Sequence, residues 1–221
     1  MEGRVVYTPP PDLGLDLVHQ DEALVVVNKP EGLLSVPGRG DDRADCMVSR
    51  VQQRLPEALT VHRLDMATSG LLVFARGPDI QRALSVAFQD RGVSKRYVAV
   101  VHGLVLPDEG VVDLPLIADW PNRPRQMVCH DRGKPSQTRF QVLARDAVLG
   151  QTRVSLEPIT GRSHQLRVHM LALGHPIVGD PFYGDAGLQR PFARLHLHAA
   201  ELGMSHPVSG LWVSWACEAP F

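Results

Sequence analysis

No apolar run in this 221-residue chain approaches the roughly 20 residues that a membrane-spanning helix needs. The first residues carry Glu2, Arg4, Tyr7 and three successive prolines at 9–11, with no apolar stretch of the kind found in a secretory signal. The chain is therefore expected to be cytoplasmic. Cysteine is scarce. Cys46, Cys129 and Cys217 lie more than 80 residues apart, which argues against a disulfide framework or a cysteine zinc site and leaves free thiols as the expectation. An excess of one charge sign is also missing: the formal net charge is −1, so no global positive field announces a nucleic-acid partner. Internal repeats and low-complexity linkers are absent.

What remains is ordinary globular composition, with 44% hydrophobic and 21% charged residues. The length suffices for an independent core, and one domain over 1–221 is expected. The charge is unevenly placed. Arg123, Arg125, Arg132, Lys134 and Arg139 face only Asp131 between 121 and 139, and Arg91, Lys95 and Arg96 form a second group. Such clusters are commonly solvated faces. Interleaved with Trp120, Pro121, Asn122 and Gln126, the first also suits a loop that tracks phosphates. His164 and His169 are five apart and His196 and His198 alternate, neither being zinc spacing, so structural histidines and no metal are expected. Trp120, Trp212 and Trp215 read as packing residues, with Trp120 placed to touch a partner of the basic loop.

Short β-branched runs at 23–28, 71–75, 97–101, 111–116, 138–143, 152–156, 195–202 and 211–216 read as strands. Helical spacing appears at 45–55 with Asp45 as cap, and from Pro78 to about Asp90 with Ile80, Leu84, Ala87 and Phe88 inward. A third helix is expected from an N-cap at Ser163 to Leu173, stopped by a left-handed Gly174. Strands outnumber helices without regular alternation, which gives an α+β fold with a mainly antiparallel mixed sheet.

The most informative stretch is His62-Arg63-Leu64-Asp65-Met66-Ala67-Thr68-Ser69-Gly70, between two apolar segments. It sets a carboxylate beside an arginine on a loop over a sheet, where a scaffold can fix a reactive group. On turn chemistry alone, Asp65 is better explained as a cap or turn residue than as a catalyst.

This stretch resembles the signature of the RluA family of RNA pseudouridine synthases, which runs His-Arg-Leu-Asp, two variable residues, Thr-Ser-Gly and an apolar strand. Lys95-Arg96-Tyr97-Val98-Ala99 with Gly103 is similar to the family's tyrosine strand. Gly133-Lys134-Pro135 with Thr138 is similar to its lysine-proline segment. Residues 160–169, continuing through Gly174-His175-Pro176-Ile177 and Gly179-Asp180, resemble its arginine helix. The resemblance covers nearly the whole chain. It implies a sheet split into two half-sheets with flanking helices and a central cleft. With about twenty residues before the first strand, no separate N-terminal RNA-binding domain is expected.

Conversion of uridine to pseudouridine breaks the ribose bond to a ring nitrogen, turns the base, and joins ribose to ring carbon 5. No atoms or electrons are gained or lost, so no cofactor is expected. The reaction needs an ionised carboxylate, and the resemblance gives that role to Asp65. Attack on the ribose, attack on the base and removal of a ribose proton are all compatible with it. A carboxylate enclosed with an everted base drifts toward its neutral form, and a guanidinium opposes this. The resemblance assigns that partner as Arg167. It makes Tyr97 the ring against which the uracil stacks, and Arg63 suits the space left by an extruded base. His62, Thr68, Ser69 and Gly70 would shape the loop. Arg123, Arg125 and Lys134 are the expected RNA-backbone contacts.

Two further segments, 34–39 and 119–124, narrow the resemblance within the family. They imply both a large-subunit ribosomal RNA site and the tRNA anticodon stem-loop as targets, with a single RNA target as the alternative. No membrane and no obligate protein partner are implied. Outside the resemblance, a non-catalytic RNA-binding module would tolerate Asp65→Asn. A metal-dependent hydrolase would want an Asp-x-Asp pair near Asp65, and none occurs. An aspartic protease would want Thr or Ser directly after the Asp and then Gly, a pattern that is not met.

Overall fold

A computed structural model describes residues 7–184 and 193–221. The expected α+β, mostly antiparallel architecture is observed, divided into two compact units, one through Val93 with Gly203–Cys217, the other Ser94–Leu202 with Glu218–Phe221.

In the first unit, β1 (Leu17–Gln20), β2 (Leu24–Lys29) and β4 (Ser69–Arg76) run antiparallel, and β3 (Ala58–Thr60) pairs with the far end of β4. The apolar runs explain why β2 and β4 lie at the centre: Leu24–Val27 and Leu71–Ala75 are buried on both faces. Helix α1 (Met47–Gln52) is shorter than expected, and Asp45 does not cap it. The cap is Cys46, in a reciprocal box with Ser49, and Asp45 instead makes two 2.8 Å bonds to buried Arg50. That same guanidinium reaches the Pro10 carbonyl at 2.6 Å and ties the preceding segment down. Helix α2 (Pro78–Gln89) starts at its proline as expected, with Leu84 buried.

In the second unit, β5 (Ser94–His102), β10 (Gln151–Pro158), β9 (Gln137–Asp146) and β6 (Glu109–Asp113) form an antiparallel run in that order. β11 (Leu197–Ser205) lies beside β5, contributes Gly203–Ser205 to the first unit, and pairs with β12 (Trp212–Ala216). The single strand expected at 111–116 is two elements. β6 ends at Asp113, and Leu116 opens β7 (Leu116–Ala118), which pairs with β8 (Gln126–Val128) in a separate two-stranded ribbon and bridges Lys134 at Leu116. Pro115 between them has no N–H to continue the ladder. Helix α3 (Gln165–Ala172) carries Val168, which packs with Leu116 and Tyr183 under that ribbon.

Candidate active site

The loop between β3 and β4 holds Asp65 by its backbone from three directions. Buried Ser35 accepts the Leu64 N–H at 3.0 Å and donates its hydroxyl to the Leu64 carbonyl at 2.7 Å. The Asp65 carbonyl accepts from the Thr68 N–H at 3.0 Å and closes a four-residue turn. The Met66 carbonyl accepts from the Gly32 N–H at 2.9 Å and from the Lys29 ammonium at 3.2 Å. Lys29 is 0% exposed, and its three protons also reach the carbonyls of Pro30 at 2.8 Å and Leu33 at 2.7 Å. A buried ammonium is tolerated only when so fully bonded. It locks the 30–35 loop and the Asp65 loop to the end of β2.

After the turn, Gly70 sits at φ 113 opposite Lys29 in the β2–β4 register, a left-handed conformation that a side chain would strain. His62 accepts the Val73 N–H at its Nε2 (3.1 Å) and stacks on Phe88 with ring centroids 4.5 Å apart. The Asp65 side chain is half-buried and Arg63 is exposed. Asp65 thus follows the turn reading in its backbone, and its half-buried side chain extends from a loop whose backbone is held in place.

The other expected site residues lie in the second unit. Tyr97 is half-buried on β5, opposite Leu156 and on the same sheet face as buried Ala99 and Val101. Lys95, read from sequence as part of a basic group and of the tyrosine strand but given no site role, shares that face two residues away. Burial pushes its ammonium below the ordinary lysine range.

Arg167 departs from the surface ion pair usual for a helical arginine. It is 2% exposed and grips Asp180 in a bidentate pair along one edge of its guanidinium, Nε to Oδ2 at 2.7 Å and Nη2 to Oδ1 at 2.6 Å. Asp180 Oδ1 also accepts the backbone N–H groups of Phe182 (2.9 Å) and Tyr183 (3.2 Å). The same guanidinium lies 5.3 Å from the Phe182 ring and 5.1 Å from the Tyr183 ring. The planar cation is therefore fixed in one orientation. Asp180 carries this arrangement, and the sequence reading gave it no role.

The start of α3 also differs from expectation. Ser163 is exposed and is not the cap; His164 is, in a left-handed conformation at φ 53. Gln165 anchors the helix instead. Its amide nitrogen donates to the Gln137 carbonyl and the Thr138 hydroxyl of β9, and its oxygen accepts the Arg162 N–H. The left-handed His164 costs about 1 kcal/mol, offset by a 2.8 Å bond to the Tyr183 hydroxyl and a ring stack on Phe182. Gly174 does end the helix at a positive φ of 84. His169 is a satisfied structural histidine, bonded to the Thr138 hydroxyl and the Leu114 carbonyl, and burial lowers its pKa.

Arg123, Arg125 and Lys134 are exposed on the β7–β8 ribbon and its following turn, and none forms an ion pair with a described residue. Trp215 packs with its ring centroid 5.2 Å from that of His19, and the Trp212 indole lies against Gly203 although it is 59% exposed; Trp120, read as packing or as a contact for a partner, is 65% exposed.

Comparison with known proteins identifies the family. The pattern of the RNA pseudouridylate synthase family matches residues 23–172. The chain is 53% identical over 205 residues to the dual-specificity RNA pseudouridine synthase RluA of Yersinia pestis, covering 93% of this chain and 99% of that one. It is 51% identical over 219 residues to the protein of the same name from Escherichia coli K12, covering 99% and 100%. Among solved structures, human RNA pseudouridylate synthase domain containing 1 superposes with a TM-score of 0.78 at 30% identity, covering 100% of this chain and 87% of that one. The chain belongs to the RNA pseudouridylate synthase family and is an enzyme that isomerises uridine in RNA to pseudouridine.

Proposed function

We propose that Asp65 is the ionised carboxylate of this isomerisation and that Arg167 is the cation that keeps it charged against an everted base. Tyr97 stacks on the uracil, Arg63 occupies the gap left in the RNA, and Arg123, Arg125 and Lys134 hold backbone phosphates. The reading rests above all on the pinning of the Asp65 loop by Ser35 and Lys29. Ser35 gives both of its hydrogen bonds to this turn and Lys29 one of its three, which holds the carboxylate as a reacting group must be held, within a fraction of an ångström.

The fixed, planar Arg167 supports the second half of the reading, since a guanidinium already oriented by Asp180 loses little freedom on meeting another carboxylate. In the reaction the bond from ribose C1′ to N1 breaks, the uracil turns, and C1′ joins C5. The C5 proton leaves to solvent and N1 gains one. The substrates are structured RNAs in the cytoplasm: a large-subunit ribosomal RNA site and the tRNA anticodon stem-loop, as the naming of its relatives as dual-specificity enzymes supports.

RNA labelled with tritium at uridine C5 tests this directly. The enzyme should release tritium from both a ribosomal and an anticodon stem-loop transcript, and Asp65→Asn should release none from either. Release by Asp65→Asn at the parent rate would overturn the assignment. Tyr97→Phe should keep RNA binding while slowing release.

A further inference from the structure

The ribbon of β7 and β8 is built to hold its tip still. The Asp119 N–H donates to the Arg125 carbonyl at 3.0 Å, and the Arg125 N–H to the Asn122 carbonyl at 3.0 Å. The Asn122 side chain donates to the Asp119 carboxylate at 2.9 Å, so the one acid within the tip is already engaged. The root is as tight. The Gln126 N–H donates to the Tyr183 hydroxyl at 2.8 Å, which leaves that hydroxyl's own proton for His164 Nδ1. A side chain at Gly133 would run into the Cys129 carbonyl and the Pro115 carbonyl. On this cross-tied support a one-turn 3-10 helix, Trp120–Asn122, presents an indole that is 65% exposed. The Arg123 guanidinium lies 3.1 Å from its centroid. Arg125, Arg132 and Lys134 are exposed around it and form no ion pair with a described residue.

We propose that the Trp120–Arg123 pair is a stacking platform for an unpaired base of the substrate RNA, distinct from the uridine that is isomerised. The inference rests on the reading of the chain as an RNA-modifying enzyme and adds a second point of contact to it. A large aromatic left in water on a rigid mount is a surface prepared for another flat ring. Arg123 covers one face and fixes the ring plane, and the exposed remainder can receive a base. The surrounding exposed cations select a polyanion over an apolar protein partner. The partner base must be unpaired, because bases within a duplex have no free face to offer. Arg123 then serves the indole with the face of its guanidinium and shares the phosphates with Arg125, Lys134 and, beside them, Arg132.

The test compares binding of two RNAs to the full-length protein by filter retention: a short stem–loop transcript and a blunt duplex of the same stem. Trp120→Ala should weaken stem–loop binding about 5- to 150-fold, the range of one lost base stack, and leave duplex binding within about twofold. Trp120→Phe should recover most of the loss. Arg125→Ala should weaken both RNAs and reduce the salt slope by about one, whereas Trp120→Ala leaves the slope unchanged. Equal loss on both RNAs, or no loss on either, would overturn the platform; the latter is also what a protein-binding surface would give. Failure of the enzymatic reading shows up separately, as tritium release by Asp65→Asn, and does not alter the comparison of the two RNAs.

Discussion

Replacing Ser35 by alanine deletes one oxygen that serves both the N–H and the carbonyl of Leu64, the residue before Asp65. Leu64 is buried, so neither group regains water without a local opening. Each orphaned group costs about 1–3 kcal/mol, which puts the loss of stability at about 2–6 kcal/mol. A domain of this size holds about 5–15 kcal/mol, so over most of that range the variant stays folded at 25 °C. The far side of the turn is untouched, because Lys29, Gly32 and Thr68 still bond to Met66 and Asp65. The loop is therefore loosened on one side only. A displacement of about 1 Å at a reacting group can cost about 100-fold in rate, so turnover should fall about 10- to 100-fold. The KM for RNA should change by less than about threefold, because no proposed RNA contact is removed. Urea denaturation measures the first quantity, and tritium release at saturating and limiting RNA separates the other two. Full loss of stability with unchanged turnover would show that the place of Asp65 does not depend on this anchor, and the reasoning would fail.

Asp180→Asn leaves the Arg167 guanidinium buried opposite a neutral amide, and urea denaturation should show a loss of about 3–5 kcal/mol. A change under about 1 kcal/mol would mean that the charge at Asp180 is not what holds the arginine. Lys95 is an ammonium whose pKa burial has lowered, so at neutral pH its charge works against folding. Lys95→Met should raise the urea midpoint while weakening RNA binding. Lower stability would show that the lysine stem, not its charge, dominates the site. Asp21 supplies the acid limit. Burial works against its charge, but bonds from His19 and the N–H groups of Ala23 and Leu24 outweigh that and hold the carboxyl at about 2, below the ordinary 3.8. A depressed carboxyl stabilises the fold above its unfolded pKa, and the contribution is lost as pH falls from about 4 to about 2. With the side chain a third exposed, it is worth about 1 kcal/mol. Asp21→Asn should flatten that part of the stability–pH curve, and an unchanged curve would refute the assignment.

What could be read from the sequence divides by the range of the interactions involved. β2 and β4 announce themselves because β-branched and apolar side chains, buried on both faces, leave an uninterrupted run. α2 announces itself through Pro78. The β7–β8 ribbon does not, since three-residue strands are too short to show a period. Its stability comes from Tyr183 and Val168, which lie far along the chain. The cap of α3 was misassigned for a related reason: Ser163 has the right local chemistry, but Gln165 finds better partners on β9 and forces His164 into the left-handed region.

The candidate site follows the same rule. Asp65, Tyr97 and Arg167 stand out because a family signature surrounds them. Ser35, Lys29 and Asp180 do not, because their task is to hold other groups. Ser35 and Lys29 act on backbone atoms 29 and 37 residues away, and nothing in their own neighbourhoods marks that. A serine, a lysine beside a proline and an aspartate after a glycine would each pass as loop residues. Their importance is visible only once burial is known, since a hydrogen bond that would be exchangeable with water at the surface becomes obligatory at 0–3% exposure. The carboxylate proposed to react can thus be named from sequence, whereas the rigidity its role would require is a property of the folded chain, carried by residues whose chemistry is unremarkable until they are enclosed.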